Sequence, residues 1–188
     1  VFSVANAVAD RRTIDLTISR QGSYTSRIID EIQQGGTVWG KGPYGEFTVG
    51  AEDDCNRAVL LAGGTGITPF CAFMDGAIQR GALPMEEVVL YYGARTADLL
   101  IFRELAERCA ATLTGFRVRL FVEQAAAPQS TTLNVGRLEL AAIMNELGDT
   151  SRTTFYVSGP RPMIEAFRQR LTSEYAVDAE RVHIDAWE

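Results

Sequence analysis

The chain has 188 residues, 46% of them hydrophobic, and a formal net charge of −6 at pH 7. This length is enough for one sizeable hydrophobic core or two small ones. No apolar run approaches the ~20 residues of a membrane-spanning helix, and the first residues lack the basic and then apolar order of a signal peptide. The acidic balance argues against nucleic acid as a partner. We therefore expect a soluble globular protein that has no membrane span.

Three cysteines and one histidine restrict the possible metal and disulfide chemistry. Cys55, Cys71 and Cys109 are far apart in the sequence and form no C-x-x-C pair, so zinc or iron–sulfur ligation is not expected. Their odd number favours free thiols in a reducing cytoplasm. His183 is the only histidine, which excludes a multi-histidine metal site. A serine hydrolase would need His183 and a nucleophile elbow, and the sequence contains no such elbow.

Residues 1–54 contain short β-like runs. Two runs read as strands and one as a short helix, at 1–5, 13–18 and 27–32. The second run alternates apolar and polar residues with period two, and Thr25 or Ser26 is expected to cap the helix. The strands are too few to close a barrel, and the chain opens without an initiator Met. We expect this segment to continue an N-terminal portion that precedes it in a longer protein.

From Arg57 onward, strand patterns alternate with helix patterns. Five apolar runs read as strands, at 58–62, 88–92, 117–122, 153–157 and 181–187. Helices are predicted between them, beginning near Pro69, Leu100, Leu138 and Pro162, and 125–134 reads as a loop. This alternation predicts a parallel sheet with right-handed crossovers. The expected α/β domain, residues 55–188, therefore has a five-stranded parallel sheet with helices on both faces.

The first of these strands ends in a glycine-rich turn, Gly63–Gly66. Pro69 then suits the first turn of a helix because its missing N–H would have no partner there, and Gly81 ends that helix. Glycines let the backbone approach a ligand closely, and a helix N-terminus favours negative charge. The turn departs from the G-x-G-x-x-G fingerprint because Pro69 takes the third glycine position. By itself, the turn fits a phosphate loop and a plain βα turn equally well.

A second glycine turn, Ser158-Gly159-Pro160, ends the fourth strand. Parallel sheets bind ligands beyond the carboxyl ends of their strands, where the strand order reverses. If the order is 3-2-1-4-5, strands one and four are neighbours at that point, and their two glycine turns share one crevice. We therefore predict a dinucleotide site between these turns.

A series of motifs occurs in the order and with the spacing of one family. They are Phe2-Ser3-Val4-Ala5-Asn6, Tyr24-Thr25-Ser26, Gly42–Phe47 (G-P-x-G-x-F), Gly63–Pro69, Tyr92–Thr96 and Ser158–Met163. On these residues the chain resembles the ferredoxin reductase-like flavoprotein reductases of the ferredoxin–NADP reductase superfamily, among them the reductase components of oxygenases. Phe2 stands where the family has tyrosine, and Ser158 stands where it usually has cysteine.

The resemblance implies an oxidoreductase with FAD on an antiparallel β-barrel domain, of which residues 1–54 are the C-terminal part, and NAD(P)H on the α/β domain. A hydride would pass from nicotinamide C4 to flavin N5, and electrons would then leave for an acceptor protein such as a ferredoxin or an oxygenase. Catalytic roles are implied for Ser3 and Ser158. Flavin contacts are implied for Phe2, Ser3, Val4, Thr25, Ser26 and Trp187. Nucleotide contacts are implied for Gly64, Thr65, Gly66, Arg95, Gly159, Pro160 and Met163.

Ordinary structural roles remain open for several of these residues. Phe2 also fits a core aromatic, and Thr25 and Ser26 also fit a plain helix cap. Trp187 fits a packed terminal anchor, and Arg95 fits a solvated loop charge as well as an adenosine contact.

The choice of coenzyme depends on charges at the same edge of the sheet. Arg95 and Thr96 could meet the 2′-phosphate of NADPH. Glu123, at the end of strand three, would repel that phosphate if it pointed inward. NADH is therefore the favoured coenzyme.

A second function, in the binding class, remains compatible with the sequence. The chain could serve as a nucleotide-binding or electron-transfer subunit that does not turn over alone. Yellow colour and its bleaching by NADH would distinguish the reductase from this alternative.

Overall fold

A computed structural model of the chain describes residues 2–7, 12–20, 22–42, 44–50, 54–124 and 133–185. Its helices are α1 (Gly22–Glu31), α2 (Thr68–Arg80), α3 (Arg103–Thr112), α4 (Leu140–Leu147) and α5 (Arg161–Ser173). Its strands are β1 (Arg57–Gly63), β2 (Glu87–Ala94), β3 (Phe116–Val122), β4 (Leu133–Val135), β5 (Thr153–Ser158) and β6 (Val182–Asp185). Short 3₁₀ turns occur at Gly64–Ile67, Ala97–Leu99 and Ala179–Arg181. No helix in the described ranges is long and apolar enough to cross a membrane.

The strands form one parallel sheet in the order β4-β3-β2-β1-β5-β6. The predicted order 3-2-1-4-5 is confirmed for the five predicted strands. The predicted number of strands is wrong by one, because β4 adds an edge strand that overlaps the end of the segment that reads as a loop. β4 has only three residues, and it is held in register by pairing with β3, where Leu120 lies opposite Leu133. So short a run carries no period that sequence analysis could detect.

Helices cover both faces of the sheet, as predicted. On one face, Leu60 and Tyr156 point into a core shared with α2 and α3. On the other face, their chain neighbours Leu61 and Val157 point into a core shared with α4 and α5. Because both faces are covered, the central strands are apolar throughout instead of alternating with polar residues. This explains why the sequence shows them as continuous hydrophobic runs.

The N-terminal segment contains less regular structure than predicted. Its two strand-like runs do meet in antiparallel fashion, through a single bridge between Val4 and Leu16. α1 begins at Gly22 and not after Ser26, so the prediction that Thr25 or Ser26 caps this helix is wrong. Gly22 has φ +74°, a left-handed conformation that lets the chain turn directly into the helix.

The N-terminal segment packs on the face of the sheet that α2 and α3 cover. The backbone N–H of Ala7 donates to Asp75 Oδ2 on α2, at 3.0 Å. Phe47 and Val49 pack against the core on this face. The segment is therefore attached beside β1 and β5, the two strands that carry the glycine turns. The boundary at residues 54 and 55 stays a prediction.

The three cysteines are free thiols, as predicted. Burial raises the pKa of Cys71 to about 12 and that of Cys109 to about 11. Both lie on helices that pack together, Cys71 on α2 and Cys109 on α3. Cys55 is only partly buried.

The two glycine turns touch each other. A Cβ atom added at Gly66, in the turn after β1, would overlap the backbone of Ser158 and Gly159, in the turn after β5. The neighbouring atoms are backbone atoms and cannot rotate aside as a flexible side chain could. The predicted meeting of the two turns at the point where strand order reverses is therefore confirmed.

We predict that Gly66→Ala destabilises the fold by about 3 kcal/mol, the upper range for inserting a group into a filled space. The free energy of unfolding, from urea titration followed by circular dichroism, measures this. Gly40→Ala is the matched control, since its Cβ would meet no atom within 4 Å; it should change stability by less than about 0.5 kcal/mol. Equal losses in the two variants would contradict the contact.

Candidate functional site

The candidate site lies at the carboxyl edge of the sheet, where three neighbouring strands end together. Ala62 of β1 lies opposite Ser158 of β5, and Ser158 lies opposite Asp185 of β6. β1 connects towards β2 on one side, while β5 connects towards β6 on the other. Loops that leave in opposite directions open a crevice between them, which is the usual ligand position in such sheets.

The turn after β1 offers an open backbone surface. Gly64 has φ +55°, and a Cβ there would meet no atom within 4 Å. The turn continues as one 3₁₀ segment, and α2 then begins with Pro69 in its first turn, as predicted. The Thr68 hydroxyl donates to the Thr65 carbonyl at 2.7 Å and so fixes the junction. This glycine turn followed by a helix start fits the pyrophosphate of a dinucleotide.

The turn after β5 packs tightly against the first turn. A Cβ at Gly63 would lie 2.8 Å from Pro160 Cδ and 2.9 Å from Met163 Sδ. A Cβ at Gly159 would lie 2.7 Å from Met163 Cε. The Pro160 carbonyl accepts the Met163 N–H at 2.9 Å and so begins α5. The described contacts of Pro160 and Met163 are thus with the protein itself, and their contact with a nucleotide stays a prediction.

The two serines assigned catalytic roles converge on one carboxylate. The Ser158 hydroxyl donates to Asp185 Oδ2 at 3.0 Å, and the Ser3 hydroxyl donates to the same oxygen at 3.4 Å. The second distance is long for an O–H···O hydrogen bond. Ser158 is 2% exposed, so its hydroxyl lies beneath the crevice surface. The structure therefore brings together two residues that come from opposite ends of the chain.

Asp185 is the functional candidate that sequence analysis missed. It is 8% exposed, and a carboxylate at such depth requires hydrogen-bond donors. One signal could have found it: an acidic residue interrupts the apolar run of the fifth predicted strand, residues 181–187, which neighbours the strand that ends at Ser158.

Charged residues occupy the same edge farther along the sheet. Arg95 follows β2, is exposed, and accepts the Gln124 N–H on its carbonyl at 2.9 Å. Glu123 follows β3, and its carboxylate forms an ion pair with Arg137 Nε at 3.2 Å. The sequence alone does not indicate this ion pair, because β4 lies between Glu123 and Arg137 along the chain.

The remaining predicted flavin residues stay predictions. Phe2 and Val4 are half-buried on either side of Ser3, and Thr25 and Ser26 are half-buried on α1. Trp187 lies outside the described residues. Within the described ranges, no group of three or more His, Cys, Asp or Glu side chains is arranged to hold a metal ion.

Comparison with known proteins connects this geometry to a family. The sequence model of the oxidoreductase NAD-binding domain matches residues 60–169. The ferredoxin–NAD(+) reductase component of the alkene monooxygenase system of Xanthobacter autotrophicus is 31% identical over 188 residues, covering 98% of this chain and 55% of that protein. The flavohemoprotein of Bordetella pertussis is 27% identical over 196 residues, covering 99% of this chain and 47% of that protein. The chain thus spans about half the length of these relatives.

Solved structures show the same fold. The flavohem-like FAD/NAD-binding domain of nitric oxide dioxygenase from Vibrio cholerae superposes with a TM-score of 0.77 at 17% identity. The match covers 99% of this chain and 76% of that one. The family model covers more than half of the chain and includes both glycine turns, so the resemblance inferred from the motifs is confirmed. The chain therefore belongs to the oxidoreductase NAD-binding domain family, and within it to the ferredoxin reductase-like proteins.

Proposed function

We propose that the chain acts in an FAD-dependent NAD(P)H oxidoreductase that passes electrons to an acceptor protein, either a ferredoxin or an oxygenase. One observation carries the proposal: Ser3 and Ser158 both donate to Asp185 Oδ2, beside the crevice between the two glycine turns. The relatives named above, a ferredoxin–NAD(+) reductase component and a flavohemoprotein, support it.

In this proposal the two parts of the chain hold different cofactors. Residues 55–188 bind the nucleotide, whose pyrophosphate lies on the turn of Gly64, Thr65 and Gly66, with Arg95 towards the adenosine. Residues 1–54 hold part of the FAD. The assigned flavin residues are Phe2, Ser3, Val4, Thr25, Ser26 and, from the C-terminus, Trp187.

The hydroxyls of Ser3 and Ser158 orient the reacting groups. When bound, nicotinamide supplies the hydride and flavin accepts it, and this chemistry belongs to the cofactors. A hydroxyl that donates to Asp185 directs its oxygen lone pairs away from the carboxylate. Asp185 thereby fixes the direction in which both serines can accept a hydrogen bond. It also accepts the hydrogen bond that the Ser3 hydroxyl donates. Preorganised polar groups of this kind lower a barrier without reorganising during the reaction.

The partner and the compartment are also part of the proposal. The net charge of −6 suits an acceptor with a basic docking surface. Free thiols at all three cysteines suit a reducing compartment, for which we propose the cytoplasm.

The proposal predicts a yellow protein that NADH bleaches without oxygen. The protein should be expressed from its natural reading frame with FAD in the buffer, and its visible spectrum should be followed while NADH is added anaerobically. A colourless protein that binds ADP-ribose in calorimetry would favour the nucleotide-binding subunit instead. A yellow protein that neither NADH nor NADPH reduces would refute the reductase function.

We predict that Ser158→Ala slows flavin reduction at saturating NADH by about tenfold or more, because a group acting mainly in the transition state affects kcat more than binding. Stopped-flow absorbance measures the rate, and titration of the oxidised protein with NAD(+) measures the affinity. Ser158→Cys is the matched control, since a thiol can still donate to Asp185; it should retain most of the rate. If Ser158→Ala reduces its flavin as fast as the parent protein, Ser158 has no role in the reaction.

We propose NADH as the preferred coenzyme because Glu123 places a carboxylate at the edge where an adenosine 2′-phosphate would lie. Glu123→Gln removes this charge and leaves Arg137 without its ion-pair partner. The ratio of kcat/KM for NADPH to that for NADH should therefore rise by about tenfold, the effect of one 1.4 kcal/mol interaction.

Glu146→Gln serves as the control for coenzyme selectivity. Glu146 also pairs with an arginine, Arg119, at 2.9 Å, but it lies near the end of α4 and away from the carboxyl edge. Its ratio of NADPH to NADH efficiency should not change. An unchanged ratio in Glu123→Gln as well would remove Glu123 from coenzyme selection.

A further inference from the structure

Four rings form a continuous aromatic cluster: Phe47, Phe70, Tyr156 and His183. The ring of Phe47 lies 5.7 Å from that of Phe70 and 5.9 Å from that of Tyr156, the second in an edge-to-face arrangement of 82°. Tyr156 stacks on His183 at 4.8 Å and 18°. These separations fall within the range in which aromatic pairs attract each other with defined geometry.

The aromatic cluster lies directly behind the candidate site. Tyr156 precedes Ser158 by two residues on β5, and His183 precedes Asp185 by two residues on β6. Residues two apart on a strand point to the same face, so each ring shares a face with one member of the Ser158–Asp185 hydrogen bond. Phe70 lies on α2, four residues after Gly66. Two of the four rings, Phe70 and Tyr156, thus belong to elements that flank the two glycine turns, and His183 lies on the neighbouring strand β6.

Phe47 is the member that comes from the N-terminal segment. It contacts α2 through Phe70 and β5 through Tyr156, so this one side chain touches elements that flank both turns. A second contact lies three residues later, where the Gly50 N–H donates to the Tyr156 hydroxyl at 3.5 Å. Tyr156 is 1% exposed and Phe70 is fully buried. Phe47 therefore packs against two side chains that are themselves buried in the core.

We propose that Phe47 is a positioning residue, which sets the distance between the N-terminal segment that carries Ser3 and the turns that carry Ser158. The inference rests on the proposed function, because it assigns the flavin to one side of this contact and the nucleotide to the other. A hydride transfer depends steeply on the separation of donor and acceptor, and a displacement of about 1 Å can cost 10²-fold in rate. A ring that joins the two sides controls that separation.

If Phe47 contributed only to packing, its variants would behave differently from variants of a residue that positions the two parts of the site. Loss of packing alone lowers stability and leaves the rate of the folded protein unchanged. Loss of positioning slows flavin reduction, while the nucleotide affinity, set within residues 55–188, stays the same. Loss of positioning also weakens the nearby hydrogen bond from the Gly50 N–H to Tyr156. A faster amide hydrogen exchange at Gly50, measured in the protein without cofactors, would detect this change.

The test compares Phe47→Ala with Phe102→Ala in the protein expressed from its natural reading frame. Phe102 is the matched control because it is also a half-buried phenylalanine packed against the same core, but it lies at the start of α3. We expect Phe47→Ala to slow flavin reduction at saturating NADH by about 10- to 100-fold, with unchanged ADP-ribose affinity and faster exchange at Gly50. Phe102→Ala should change neither the rate nor the exchange at Gly50.

Phe47→Leu keeps the test decisive if Phe47→Ala does not fold, since leucine fills most of the space but has no aromatic ring. The flavin of Phe47→Leu should be reduced at a rate between those of the parent protein and Phe47→Ala. Parent-like rates in the folded Phe47 variants, or an equal loss in Phe102→Ala, would overturn the positioning role. Failure of the parent protein to be reduced by NADH or NADPH would instead refute the proposed function on which this role rests.

Discussion

The structure depends on the close approach of two backbones. The turn after β1 lies against the turn after β5, and the absence of a side chain at Gly66 is what permits it. Parallel pairing of β1 with β5 brings the two strand ends level, and the glycine then lets the turns meet. Met163 fills the space over Gly63 and Gly159, so the floor of the crevice is closed by protein. A rigid floor of this kind can hold a ligand in one orientation.

Much of the α/β part could be predicted from sequence because strong local signals coincide with the global fold. Continuous apolar runs marked the central strands, and prolines after glycine turns marked the starts of α2 and α5. Given the strand order 3-2-1-4-5, the position of the two glycine turns at one crevice followed. β4 could not be predicted, since its three residues are placed by pairing with β3 and not by any periodicity of their own. The start of α1 was missed because Gly22, and not a hydroxyl side chain, opens that helix.

The candidate site was predictable in its parts but not in its assembly. Ser158 was recognised from its glycine turn and Ser3 from a motif, but nothing in the sequence indicated that one oxygen of Asp185 accepts from both. Long-range side-chain hydrogen bonds of this kind depend on tertiary packing. The same holds for the Glu123–Arg137 pair, whose members are brought together by the return of the chain along the sheet edge. Sequence patterns predict at which strand end a residue lies, but its side-chain contacts depend on the tertiary fold.

The burial of Cys71 and Cys109 has a consequence for oxidative damage. Peroxide attacks the thiolate and not the neutral thiol. Burial raises the pKa of both thiols well above the ordinary value, so both side chains are neutral at pH 7. The packing between α2 and α3 thus protects the sulfur atoms of Cys71 and Cys109 from oxidation without a disulfide. The partly buried Cys55 is the thiol that sulfenic acid formation would reach first.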